Sequence, residues 1–414
     1  MKAWFEITLW KRILIALVIG AIAGVFLGEA AGSIKWIGDL FIRLIRMIVI
    51  PLIFTTLVAG VISMGDPKKL GSIGLKTFGL YLGTTAVAIV IGLTLATIIQ
   101  PGVGVDVLSG EPRKLPPAGG LGDQLMSIVP TNVFAAFSSN NQVLSVIFFA
   151  LMTGVGVMLS GEKGKPLGDV IVSGSEVILK ITHLVMEVAP FGVFALIAYV
   201  TGTQGVGALL DVLPLASTII LGCLIHIVLV HGAIMLFILR LPPVQFFKGV
   251  LDAQMLAFSS SSSSATLPVT MAVARENLGI KPSVASSVLP LGSTINMDGT
   301  AIYVGIVAVF TAQALTIDLS FANYLMIALT TTLVSVGSAG IPSASLFLLA
   351  AVLGTIGVDA GTTALVVGFL FPFDRPLDMS RTVVNVTGDL SVATVVAKSE
   401  GDLDEAIFKA DPTA

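Results

Sequence analysis

Apolar residues along this chain come in runs far longer than a soluble helix needs. Runs at 9–29, 33–63, 71–99, 121–159, 166–203, 208–239 and 281–313 each reach the roughly 20 residues that cross about 30 Å of hydrocarbon. Two further regions, 244–276 and 322–400, are hydrophobic but broken by Ser, Gly, Pro and charge. Residues 100–120, rich in Pro, Gly and charge, read as an exposed outer loop. The stretch Lys11–Gly28, with Ala30 and Ala31 beyond it, has the form of a cleaved signal peptide. With so many runs behind it, it is read as an uncleaved first helix.

Lys and Arg set the orientation by the positive-inside rule. With the N-terminus inside and one crossing per full run, the cytoplasmic side collects Lys2, Lys11, Arg12, Lys68, Lys69, Lys76, Lys163, Lys165, Lys180, Arg240, Lys248, Arg275, Lys281, Lys398 and Lys409. The outer side keeps only Lys35, Arg43, Arg46, Arg113 and Lys114. This balance requires 244–276 to enter and leave from the cytoplasm and 322–355 from outside, so both are expected to be re-entrant hairpins.

Composition excludes most alternatives. The chain has 414 residues, 55% hydrophobic and 11% charged, against roughly 25% charged in a soluble domain. This rules out an ordinary cytosolic enzyme, and the apolar content rules out a disordered chain. A net charge of −3 without any large basic cluster argues against nucleic-acid binding. The single Cys223 excludes a disulfide framework, and His183, His226 and His231 leave little for a metal centre.

The two broken regions resemble each other. Ser259–Ser264 runs into Ala265-Thr266-Leu267-Pro268, followed later by Asn296-Met297-Asp298-Gly299-Thr300. The second copy has Ser335-Val336-Gly337-Ser338, then Ala339-Gly340-Ile341-Pro342, and later Asn385-Val386-Thr387-Gly388-Asp389. Inverted repeats with interrupted helices build secondary transporters. Non-helical backbone at membrane depth survives only inside protein or beside water, and half-helix N-termini there suit an anion.

Asp374, Asp378, Arg381, Asn385 and Asp389 follow steps of 4, 3, 4 and 4. On a helix they fall within about 80° of one face. Each intramembrane charge costs at least about 2.5–3.5 kcal/mol, so this stripe is read as functional rather than as an ion-pair cluster holding helices together. Arg381 offers a fork for a carboxylate, Asp378 can accept an ammonium, Asp374 can orient the guanidinium, and Asp389 suits a hard cation. Asp298 is the other buried carboxylate, in the run 281–313 where Gly299 is expected to interrupt the helix and free carbonyls for a Na⁺ site. Tyr81, Thr84 and Thr85 add hydroxyls on neighbouring turns; alone they read as packing residues.

The three elements Ser262–Pro268, Asn296–Thr300 and Asp378–Asp389, with Ala189–Leu196, resemble the dicarboxylate/amino acid:cation symporters, and most nearly the prokaryotic glutamate/aspartate transporters. The resemblance covers nearly the whole chain. It implies an all-α polytopic membrane protein of eight spans and two re-entrant hairpins, a homotrimer in the inner (plasma) membrane lipid with both termini cytoplasmic. Residues 1–63 and 121–203 would form a scaffold; 71–99 and 208–400, including both hairpins, a moving transport domain; and 401–414 a cytoplasmic tail. By motif, Arg381 would bind the distal carboxylate of L-aspartate or L-glutamate with Thr300 assisting. Asp378 would bind the amino group; Asn385 and Ser262, Ser263 and Ser264 the α-carboxylate; and Gly340, Ile341, Asp374 and Thr382 would complete the substrate site. For the co-transported sodium ions, Gly292, Asn296, Asn385 and Asp389 would form one site. Tyr81, Thr84, Thr85, Asn296 and Asp298 would form a second, with Met297 beside them. Backbone around Thr294, Ser335, Val336 and Ser338 would form a third, completed when the outer hairpin closes.

The chain departs from the family at two places. Some archaeal relatives have an arginine where Ser261 stands, and the extra cation here is Arg375. Animal relatives have a proton-handling glutamate where Val304 stands, which argues against proton and potassium coupling by that route. A proton-coupled glutamate or C4-dicarboxylate symporter is the alternative within the family. Conductance of anions would be a side activity. A membrane hydrolase using the serine run lacks Gly-x-Ser-x-Gly and a neighbouring base.

Overall fold

Small residues decide where the first helices of the chain touch. The computed structural model describes residues 7, 9–63, 67–105, 126, 128–138, 142–336 and 343–412. Helix α1 (Leu9–Leu27) and a 3₁₀ turn lead to α2 (Lys35–Ser63), α3 (Pro67–Ile99), the short α4 (Val133–Phe137), α5 (Val143–Leu159), α6 (Lys165–Glu187) and α7 (Ala189–Gln204). On α1, a Cβ at Gly20 or Gly24 would overlap the backbone of Phe194 or Ala198 on α7, the close approach that small residues allow between membrane helices. Near its start, Arg12 is buried and ion-paired to Glu187 at 2.7 Å. Helix α2 packs on α5, α6 and α7.

The second half begins with α8 (Val212–Ile225), which runs on through π-helical turns at His226–His231 and Ile234–Ile238. Then come α9 (Pro243–Gly249), α10 (Leu251–Ser260), α11 (Ser263–Glu276), α12 (Pro282–Ile295), α13 (Asp298–Ala314), α14 (Phe321–Val336), α15 (Ala344–Thr355), α16 (Ala360–Glu400) and α17 (Glu405–Lys409). Helices α3, α8, α12, α13 and α16 pack around one another, with α10–α11 and α14–α15 laid against them. Residues 295–312, covering the helix break and nearly all of α13, are buried throughout. At the seam between the two halves, Phe41 of α2 meets Phe371 of α16 edge-on at 4.8 Å. Large apolar side chains such as Phe26, Val170, Leu184 and Phe237 point outward, as a lipid-facing surface requires. Among the described residues there is no strand, only an isolated bridge between Ile280 and Leu403. This is an all-α membrane architecture.

Three expectations change. The run 166–203 is not one straight crossing: α6 and α7 meet at a 46° bend, where Pro190 has no N–H to continue the ladder. The described part of 121–159 holds two helices, α4 and α5, rather than one. The break near Asp298 falls at Asn296 and Met297 (ψ 87° and 49°), whereas Gly299 lies inside the first turn of α13. Among the described residues, four stretches are long and apolar enough to cross a membrane, or five with the bent pair. The longest helix, the 41-residue α16, carries the charged stripe instead.

Candidate functional site

The stripe of α16 lies in the protein interior, as its cost in lipid requires. Arg381 is 1% exposed, and one nitrogen, Nη2, donates to Asp374 Oδ1 and to Asp378 Oδ1, each at 2.8 Å. Its guanidinium carbon stands 3.9 Å from the centre of the Tyr303 ring, a cation–π contact. Nε and Nη1 of Arg381 have no hydrogen-bond partner, nor has Asp374 Oδ2. A buried donor left unmade costs about 1–3 kcal/mol, more when charged, and a ligand carboxylate is the group that would satisfy these N–H bonds.

Both hairpins contribute to this centre. The first turns at Ser261, whose φ is +53°, and Ser262 caps α11 by accepting the Ala265 N–H at 3.1 Å. Arg375 Nη2 donates to the Ser260 carbonyl at 3.3 Å, tying this tip to α16. Ser262 and Ser263 are buried and Ser264 is exposed. The second hairpin returns at Ser343, φ +60°, whose N–H donates to Asp378 Oδ2 at 2.8 Å. Gly340, Ile341 and Ser338 lie outside the described residues. Thr300 and Thr382 are buried beside the Arg381 cluster, Thr300 one helical turn before Tyr303 and Thr382 with its hydroxyl on the Asp378 carbonyl.

One turn further along α16, Asn385 fastens the helix break. Its Oδ1 accepts the Gly299 N–H at 2.8 Å, its Nδ2 reaches Met297 Sδ at 3.2 Å, and its carbonyl accepts Asn296 Nδ2 at 3.1 Å. Asn296 also donates to Asp389 Oδ1 at 3.0 Å. A Cβ at Gly292 would overlap the Asp389 carboxylate and the Tyr81 hydroxyl, so α12 can approach only where it has a glycine. From α3, Thr84 reaches Asn296 Oδ1 at 3.4 Å and Thr85 donates to Asp298 Oδ1 at 2.7 Å, while Tyr81 donates to the Val288 carbonyl. Among the described residues no Lys or Arg pairs with Asp298 or Asp389. Hydroxyl, amide and carboxylate oxygens are a donor set that fits a hard cation. The remaining predicted positions are less connected: Thr294 bonds its own helix at Leu291 and Ser335 at Thr332, although α12 and α14 touch. Val336 ends α14.

Three contacts escaped the sequence reading. Tyr303 shares a face with Thr300, three residues on. Ser343 acts through its backbone. His226, counted above only among three histidines too few for a metal centre, places Nε2 3.1 Å from Asp298 Oδ2. Its signal was a pair of histidines five residues apart, the repeat of a π-helical turn.

The family model of the sodium:dicarboxylate symporter family matches residues 9–399. The chain is 37% identical, over 97% of its length and 96% of the relative's, to a proton/sodium-glutamate symport protein of Bacillus caldotenax. It is 36% identical to a proton/glutamate-aspartate symporter of Escherichia coli, over 95% of this chain and 93% of that one. Identity to a C4-dicarboxylate transport protein of Brucella anthropi is 33%, covering 96% and 90%.

Proposed function

This chain belongs to the sodium:dicarboxylate symporter family, a family of transporters and not of enzymes, and from that premise we propose that it moves L-aspartate or L-glutamate across the plasma membrane together with sodium. The observation that carries the proposal is the contrast along α16. Arg381 is over-supplied with buried acceptors on Nη2 and has N–H groups to spare, whereas among the described residues no Lys or Arg meets Asp389 or nearby Asp298. A carboxylate ligand answers the first condition and a cation the second, so each makes the other's burial cheaper.

In this reading Arg381, with Thr300, takes the distal carboxylate, Asp378 the amino group, and Asn385 with the Ser262–Ser264 tip the α-carboxylate. Gly340, Ile341, Asp374 and Thr382 close the substrate site. Sodium lies among Tyr81, Thr84, Thr85, Asn296 and Asp298, and among Gly292, Asn385 and Asp389, with Met297 alongside; a third ion meets carbonyls around Thr294, Ser335, Val336 and Ser338. Hairpin 2 (α14–α15) is the outer gate. When it closes over a neutralised site, α3 and α8–α16 slide as one body past a scaffold of α1, α2 and α5–α7, in a homotrimer with both termini in the cytoplasm. The mutual packing of α2 with α5, α6 and α7 supports that division. The driving force is the closed state's higher affinity for the full ligand set.

The names of the relatives favour a second reading, proton-coupled transport of glutamate or a C4-dicarboxylate. Uptake of labelled L-aspartate into proteoliposomes separates the two. A sodium gradient alone should drive accumulation, and excess succinate should compete weakly because it has no amine for Asp378. Accumulation unchanged without sodium and driven by a pH gradient overturns the sodium reading.

A further inference from the structure

The π-helical turn at the end of α8 has a partner. Widening the turn places residues five apart on one face, and here those residues are His226 and His231, both fully buried. His226 Nε2 meets Asp298 Oδ2 at 3.1 Å. The His231 ring stands edge-on to the His226 ring, centroids 4.9 Å apart and planes at 89°. Asp298 therefore has a partner on each oxygen, Thr85 of α3 on Oδ1 and His226 of α8 on Oδ2. An ionised carboxylate only accepts, so Nε2 is the protonated nitrogen of His226; Nδ1 has no partner, and neither nitrogen of His231 has one. His231 thus makes no hydrogen bond to the carboxylate.

We propose that His226 is a positioning residue for the cation site: its Nε2–H fixes Asp298 Oδ2, so that Oδ1 stays on the α3 side, where Thr84 and Thr85 supply their oxygens. The proposal rests on the reading of Asp298 as a sodium ligand. Nitrogen donors do not suit sodium, so His226 sits behind the carboxylate and not in the ion's shell. Partners of this kind typically govern affinity by about 10–100-fold when removed. The π-helical turn is what brings the imidazole there, because a regular α-helix would carry residues 226 and 231 to different faces.

The test compares His226→Gln, His226→Asn and His226→Leu in the full chain. Gln Nε2 reaches about as far as the imidazole Nε2, while Asn Nδ2 stops short and Leu has no donor. Sodium-dependent thermal stabilisation in detergent and the sodium dependence of aspartate uptake are both measured. Half-saturation by sodium should rise by about tenfold or more in the Asn and Leu variants, at a maximal rate close to the parent's, and stay within about threefold in the Gln variant. His231→Phe, which keeps the Nε2 contact, should also stay within about threefold. Unchanged half-saturation in Asn and Leu, or a tenfold rise in Gln, overturns the proposal. If Asn and Leu fail to fold, the Gln and Phe variants decide it by the same limits. A parent protein that shows no sodium-dependent stabilisation or uptake instead overturns the sodium reading itself, a result distinct from any ranking of the variants.

Discussion

The two hairpins are built alike and held differently. In hairpin 1 (α10–α11) the tip satisfies itself: Ser260 Oγ accepts the Ser262 N–H, Ser262 caps α11, and Arg375 holds the Ser260 carbonyl from outside. Its base is also fastened, because the segment after α16 returns to it. Lys281 N–H donates to the Asp402 carbonyl at 3.0 Å, Asp404 N–H to Gly279 at 2.8 Å, and Phe408 is buried in the core beneath. At the tip of hairpin 2 (α14–α15), the described hold is the Ser343 N–H on Asp378. That carboxylate is also a partner of Arg381. The serines of hairpin 1 fix the shape of its tip from within, whereas the Ser343 end of hairpin 2 is tied to a carboxylate of the site. On the proposed function, the Ser343–Asp378 link is what lets hairpin 2 respond to the ligand as a gate.

Removing the shared carboxylate should have the largest effect. Asp378→Asn keeps the shape and breaks a buried pair on one side, which costs about 3–5 kcal/mol. Aspartate affinity should fall by at least about a hundredfold in a calorimetric titration. A thiol introduced as Ser345→Cys should also react faster in that background, because the tip has lost a charged acceptor. An unchanged labelling rate would break the comparison. Ser262→Ala is the counterpart for hairpin 1. Loss of a cap is worth about 1 kcal/mol, seen as a small drop in melting temperature, and the labelling of Ser345→Cys should not change. Equal acceleration in both backgrounds would mean that the two tips are held in common.

The smallest effect concerns the base of hairpin 1. Lys281, hydrogen-bonded at 2.7 Å, holds the Asp402 carboxyl below its usual range. A carboxyl lowered in the folded state stabilises above the unfolded-state value and loses that contribution as pH falls through the folded one. Hydrogen exchange at residues 402–408, corrected for its intrinsic pH dependence, should be slow at neutral pH and quicken in acid. The contact is exposed, so the change is small. The amides of α13 should not follow it.

How much of this was legible follows from which contacts are local. The stripe of α16 could be read because each step is three or four residues, and one helix keeps that order. The serine tip before Pro268 was equally plain. The helix break was misplaced by two or three residues because Gly299 marks where α13 presses on the Arg381 backbone, not where the backbone turns. His226 meets a carboxylate 72 positions away, and no local spacing encodes such a pairing. The tail at 402–409 has polar residues that read as solvated, and only the fold reveals that Phe408 is covered.

Arg381 and Asp389 are eight residues apart on an unbroken stretch of α16, a separation of roughly 12 Å along the axis. Every peptide group between them is tied to the next turn, so that interval behaves as a ruler of fixed length. On the proposed function, the anion at one graduation and the cation at the other are held at that fixed spacing. The distance between them is therefore cut into the helix itself, and changing it would mean inserting or deleting residues rather than exchanging side chains.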